Sequence, residues 1–111
     1  MTKVLIYCRV STDEQAKEGY SLDAQEKFCR KFAESSGCRV VGVFRDEGKS
    51  GTTMERPALQ DLLAKCQQDK SIDMVIVQET DRLARNTQDH LAVRALLQKA
   101  GVRLFSVAQP M

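Results

Sequence analysis

The sequence predicts an α/β domain: a mainly parallel β-sheet of four or five strands flanked by helices. Two observations carry that expectation. Short apolar runs such as Val4-Leu5-Ile6 and Met74-Val75-Ile76-Val77 alternate with longer amphipathic stretches. Strand and helix signals that alternate in this way build parallel sheets through crossover connections. At 111 residues, 42% of them hydrophobic, the chain reads as one domain with enough apolar side chain for a core. Only 5% of residues are aromatic and Trp is absent, so aliphatic side chains must do most of the packing.

Residues 3–9 read as the first strand. Residues 12–20 are polar and charged and read as a short helix or loop. Residues 21–36 read as a helix, with Ser21 as N-cap and Leu22, Phe28, Cys29 and Phe32 on one face. Gly37 suits its end. Val40 to Arg45 is the second strand, and a polar, Gly-containing loop follows as far as Arg56. Pro57 fits the first position of the next helix, where its missing N–H costs nothing. Leu59, Leu62, Leu63 and Cys66 then repeat at helical spacing. Ile72 to Gln78 reads as a strand. Residues 87–100 read as a helix with Val93, Leu96, Leu97 and Ala100 inward, stopped at Gly101. Val102 to Val107 is the last strand. No internal repeat, linker or low-complexity tract interrupts the pattern.

Composition narrows the function. With 17 basic and 15 acidic residues the net charge is +2, too balanced to argue nucleic-acid binding from charge alone. The helix face Lys27, Arg30, Lys31 reads as a solvated surface. Cys8, Cys29, Cys38 and Cys66 have no C-x-x-C spacing, and His90 is the single histidine, so no zinc site is expected. No signal peptide opens the chain, which argues against disulfides. Cys29 and Cys66 fall on apolar helix faces and read as core thiols. Cys8 is not a phosphatase nucleophile, because that loop closes with an arginine six residues on and position 14 is Glu14. No apolar run reaches membrane-spanning length, and a soluble, cytoplasmic protein is expected, without metal or cofactor.

The motifs lie at strand exits. The first is Tyr7-Cys8-Arg9-Val10-Ser11-Thr12. On an extended chain Arg9 and Ser11 point to the same side, which sets a hydroxyl beside a guanidinium. That is a nucleophile next to a phosphate anchor, or simply a strand running into a turn. The second, Asp81-Arg82-Leu83-Ala84-Arg85, puts two arginines on one face if it opens a helix. The third runs from Asp46 through Ser50 to Arg56. In open parallel sheets the site lies beyond the carboxyl ends of the strands, where all three should converge.

These three motifs, in this order, resemble the catalytic domain of the serine recombinases of the resolvase/invertase family. The stretch Gln15 to Gln25, with Glu18-Gly19-Tyr20-Ser21-Leu22 inside it, is more similar to the large serine integrases and transposon recombinases. The resemblance implies that Ser11 attacks a DNA phosphodiester, forms a 5′-phosphoserine and releases a 3′ hydroxyl. Arg9, Arg56, Arg82 and Arg85 would neutralise the phosphate. Asp46 and Asp81 are candidates to take the serine proton, and Asp81 equally one to orient arginines. Tyr7, Gln15, Gln25 and Ser50 would support the site; Tyr7 also reads as a packed strand aromatic and Ser50 as a turn residue. His90 reads as a solvated helix residue.

The implied partners are DNA and further copies of the chain, as dimers and tetramers, in a protein encoded by a bacterium or mobile element. The family's long oligomerisation helix and DNA-binding region are absent from residues 1–111, so an isolated catalytic domain is expected, monomeric or weakly dimeric and unable to recombine alone. The competing reading is a flavodoxin-like or receiver-like binding module. Against it, no Gly-rich phosphate cradle and no cluster of acids follows the first strand.

Overall fold

Nine residues of extended backbone, Thr2–Val10, form β1, the strand on which the sheet is organised. The computed structural model describes residues 2–10, 22–47, 57–77 and 87–107. Within them β1 is followed by α1 (Leu22–Ser35), β2 (Cys38–Glu47), α2 (Pro57–Gln68), β3 (Met74–Val77), α3 (Thr87–Lys99) and β4 (Arg103–Ser106). The four described strands run parallel in the order β2-β1-β3-β4. Parallel neighbours cannot be joined by tight hairpins, so each connection carries a helix. The carboxyl ends of β2, β1 and β3 therefore lie side by side along one edge. The expected elements are present, with ends displaced by at most two residues. The segment 12–20 and the expected cap Ser21 lie outside the described residues.

Side-chain alternation along β1 divides the core. Leu5 and Tyr7 face one side with Val75 and Val77, under Leu59, Leu62, Leu63 and Cys66 of α2 and Val93 and Leu97 of α3. Val4, Ile6 and Cys8 face the other with Met74 and Ile76, under Cys29 and Ala33 of α1. Residues 4–8 are fully buried. Burial of each such aliphatic side chain contributes about 1.5–3 kcal/mol. Phe32 stacks on Phe105, ring centroids 4.7 Å apart, and so ties α1 to β4. Gly37 and Gly101 take positive φ of 72° and 78° and stop α1 and α3, as their positions imply. Among the described residues no helix is long and apolar enough to cross a membrane.

Two expected inward residues are corrected. Phe28 is 45% exposed and Leu96 is 39% exposed. The buried line of α1 is Gln25, Cys29 and Ala33, at i, i+4 and i+8. Phe28 stands a quarter-turn off that line. On α3 the buried positions are Val93 and Leu97, four apart, and Leu96 falls beside their stripe. Ala100 is only half-buried and lies in the turn after α3.

The pairing of β1 with β2 contains an irregularity that controls the site. Val4 pairs with Val40, but Leu5 pairs with Gly42, so Val41 is an extra residue in the edge strand. One inserted residue reverses which face each later side chain meets. Cys38, Val40 and Val43 accordingly pack on the α1 side, and Phe44 packs on the α2 side. Gly42 is required by close approach: a Cβ there would lie 3.0 Å from Leu5 Cδ2 and 3.4 Å from Phe44 Cε1. Leu5 is fully buried and has little room to yield. Gly42→Val is therefore expected to cost about 1–3 kcal/mol, by overpacking. Urea unfolding checks this; an unchanged midpoint would mean that β2 stands further from β1 than the pairing implies.

Candidate active site

β1, β2 and the first turns of two helices meet where β1 ends. Arg9 is the cross-strand partner of Asp46, and both are buried, at 4% and 3% exposure. By alternation along β1, Arg9 falls on the same face as Leu5 and Tyr7. Owing to the extra residue at Val41, Asp46 falls on this face too, beneath the start of α2.

Asp46 is heavily engaged there. The Tyr7 hydroxyl donates to its Oδ2 at 2.8 Å. The Ala58 backbone N–H donates to Oδ1 at 3.0 Å, and that of Leu59 to Oδ2 at 3.1 Å. The first N–H groups of a helix have no partner within it, and its N-terminal end carries partial positive charge. A carboxylate from a distant strand satisfies both needs. Pro57, first in the helix, brings no N–H to satisfy. The geometry is that of a cap supplied from outside the helix, with Tyr7 fixing the capping group. Tyr7 is both the packed strand aromatic and a hydrogen-bond donor to a candidate site residue.

Gln25 works on the opposite flank of Arg9. It is fully buried on α1. Its Oε1 accepts from the Arg9 backbone N–H at 3.1 Å, and its Nε2 donates to the Arg9 carbonyl at 3.0 Å. In a parallel sheet both backbone groups of one residue face the same neighbour. Here a side-chain amide stands where a neighbouring strand would be, past the last pairing of β1 with β3 at Ile6–Ile76. The backbone leading to Ser11 is thus held from α1, while the opposed Asp46 is held by Tyr7 and α2.

Arg45 sits next to Asp46 and faces the other way. Its Nη2 donates to Asp23 Oδ1 at 2.7 Å and to Glu26 Oε1 at 2.6 Å, both in the first turns of α1. Arg30 Nε meets the second Glu26 oxygen at 2.7 Å. That hydrogen bond, with Arg45 adding to it, holds the Glu26 carboxyl below its ordinary range. The sequence reading passed over Arg45, because its partners are visible only once the parity of β2 is known. The thiols beneath are inert packing. Burial pushes Cys8 and Cys29 up to about 12 and Cys66 up to about 11, so all three are neutral at pH 7.

Of the site residues named from sequence, Tyr7, Arg9, Gln25 and Asp46 are thus brought together. Ser11, Gln15, Ser50, Arg56, Asp81, Arg82 and Arg85 lie outside the described residues. In sequence, Ser11 comes two positions after Arg9, and Arg56 immediately precedes α2.

Comparison with known proteins agrees with this architecture. Residues 4–111 match the family described as the N-terminal domain of resolvase. A Bacillus subtilis (strain 168) protein, named as a candidate DNA recombinase, is 40% identical over 107 residues, 94% of this chain. The chain spans only 20% of the length of that relative. The N-terminal catalytic domain of TP901-1 integrase superposes with a TM-score of 0.86 at 39% identity, over 96% of this chain and 78% of that one. A resolvase family site-specific recombinase from Streptococcus pneumoniae gives 0.81 at 36% identity, over 96% and 72%.

Proposed function

The chain belongs to the resolvase family, and from that premise we propose that it is the catalytic domain of a site-specific serine recombinase acting on DNA. In this reading the Ser11 hydroxyl oxygen bonds to the phosphorus of a phosphodiester. The bond from phosphorus to the 3′ oxygen breaks, and that oxygen leaves as a hydroxyl after taking a proton. The DNA 5′ end stays joined to Ser11, and the reverse reaction reseals the strand. The energy of the broken bond is kept in the ester, so resealing needs no nucleotide.

The observation that carries this reading is the double support of Arg9. Its backbone is bracketed by Gln25, and its cross-strand partner Asp46 seats α2. The backbone that carries a permanently charged donor fork is thereby held two residues before the candidate nucleophile. Attack on a phosphodiester concentrates negative charge on the non-bridging oxygens, and guanidinium groups match their geometry. Arg56, Arg82 and Arg85 are the further donors in this proposal, and Asp81 orients them. Asp46, with three donors already on its two oxygens, serves as anchor rather than as acceptor of the serine proton. Gln15 and Ser50 support the site. The partners are DNA and further copies of the chain, in the cytoplasm. A flavodoxin-like or receiver-like module is set aside, because the resolvase match spans residues 4–111.

The test is covalent capture. The intact protein, incubated with DNA carrying its recombination site in excess EDTA, should give a protein–DNA adduct on a denaturing gel. Mass spectrometry should place the phosphate on the peptide containing Ser11. An adduct on another side chain, or one formed only when a divalent metal is restored, would overturn the proposal.

A further inference from the structure

We infer that Arg45 is a positioning residue for the catalytic strand, acting through α1; the inference rests on the recombinase reading above. The contacts close a circuit. Arg45 is the cross-strand partner of Cys8, the residue before Arg9. Its guanidinium holds Asp23 and Glu26, at 2.7 and 2.6 Å. Between these two acids in the chain stands Gln25, whose amide holds both backbone groups of Arg9. The end of β2 thus fixes the first turn of α1, and that turn fixes the last part of β1.

Two features separate positioning from plain stabilisation. Asp23 is 90% exposed and Arg45 38% exposed, and an ion pair so open to water contributes little to folding; Glu26, 21% exposed, keeps Arg30 as a second partner when Arg45 is removed. Gln25, in contrast, must meet an N–H and a carbonyl of one residue at once, at 3.1 and 3.0 Å, so a small slide of α1 breaks one or both. A slide of that kind rotates the backbone at Arg9, two residues before Ser11. The bulge at Val41 is what turns Arg45 toward α1, since without it Arg45 and Asp46 would exchange faces. Adjacent residues of β2 thus hold the first turns of two different helices, Arg45 that of α1 and Asp46 that of α2.

The test is a double-mutant cycle in the intact protein. Arg45→Gln should slow adduct formation at saturating DNA about tenfold, the scale expected of a sub-ångström misplacement. DNA affinity should stay within about twofold and the thermal midpoint within about 4 °C, as expected for an exposed ion pair. Arg45→Lys should recover most of the rate. Asp23→Asn with Glu26→Gln should give the same defect, and adding Arg45→Gln to that pair should change nothing further, because coupled groups are non-additive. Hydrogen exchange at the Arg9 amide should quicken about tenfold in Arg45→Gln while amides of β3 hold steady. Additive losses would assign Arg45 a direct action on DNA and overturn the inference, as would an unchanged rate and unchanged Arg9 exchange. If the unmodified protein forms no adduct, the recombinase reading fails by itself, and the Arg9 amide still reports on the Arg45 contact.

Discussion

Asp46→Ala should destabilise the domain by about 3–5 kcal/mol, several-fold more than an average substitution. The carboxylate accepts from Tyr7, Ala58 and Leu59, and it is 3% exposed. A hydrogen bond to a charged group contributes about 1.5–3 kcal/mol, and a buried donor left without its partner costs about 1–3 kcal/mol. Alanine at this position would orphan a tyrosine hydroxyl and two helix N-terminal N–H groups together, and the positive end of α2 would lose its counter-charge. The three losses share one carboxylate, so they fall short of a simple sum. Against a typical total of about 5–15 kcal/mol, a change of that size leaves the fold marginal. Tyr7→Phe removes one donor to the carboxylate only and should cost about 1.5–3 kcal/mol. Urea unfolding of both variants measures the difference. If Asp46→Ala cost no more than Tyr7→Phe, the cap on α2 would be dispensable.

The fold was legible wherever burial alone decided the pattern. Leu59, Leu62, Leu63 and Cys66 are apolar at helical spacing, and all four are buried. Val75, Ile76 and Val77 form a continuous apolar run because both faces of β3 are covered. Reading failed where the sheet asked for something other than an apolar side chain. The first position of the buried α1 stripe belongs to a glutamine, Gln25, since the Arg9 backbone needs an amide there; an apolar count promotes Phe28 in its place. The parity of β2 was hidden as well. Counting by twos from Val40 sends Asp46 toward α1, whereas the extra residue at Val41 sends it to α2. The available signal was Gly42, a glycine inside a strand pattern, which marks a bulge or a close backbone approach. The exits of β1 and β2 do bring Arg9 and Asp46 together, as their motifs implied, while the third motif lies outside the described residues. That Asp46 anchors α2 depends on partners brought from 12 and 39 residues away.

The largest effect on chemistry is expected at Ser11, and it should differ in kind from that at Arg9. Ser11→Ala removes the oxygen that joins the DNA in the proposed reaction, so no adduct should form at any time of incubation, while DNA affinity and folding stay nearly unchanged. Arg9 calls for a milder replacement. It is 4% exposed and directly opposite Asp46, so alanine would leave a hole beside a buried carboxylate and confuse misfolding with lost chemistry. Arg9→Lys keeps a positive charge and much of the apolar stem, and the Gln25 contacts survive because they are made to the backbone. What lysine loses is the planar donor fork that meets two phosphate oxygens together. Loss of one oriented donor to a developing oxyanion costs about 100- to 1,000-fold in rate, so the Arg9→Lys adduct should still form, slowly, on Ser11. Time courses on denaturing gels, at DNA concentrations that saturate each variant, distinguish the two. An adduct persisting in Ser11→Ala would remove that residue from the nucleophile's role. An Arg9→Lys rate within about threefold of the unmodified protein would move Arg9 from phosphate contact to structural support, because replacement of an oriented donor cannot be so mild.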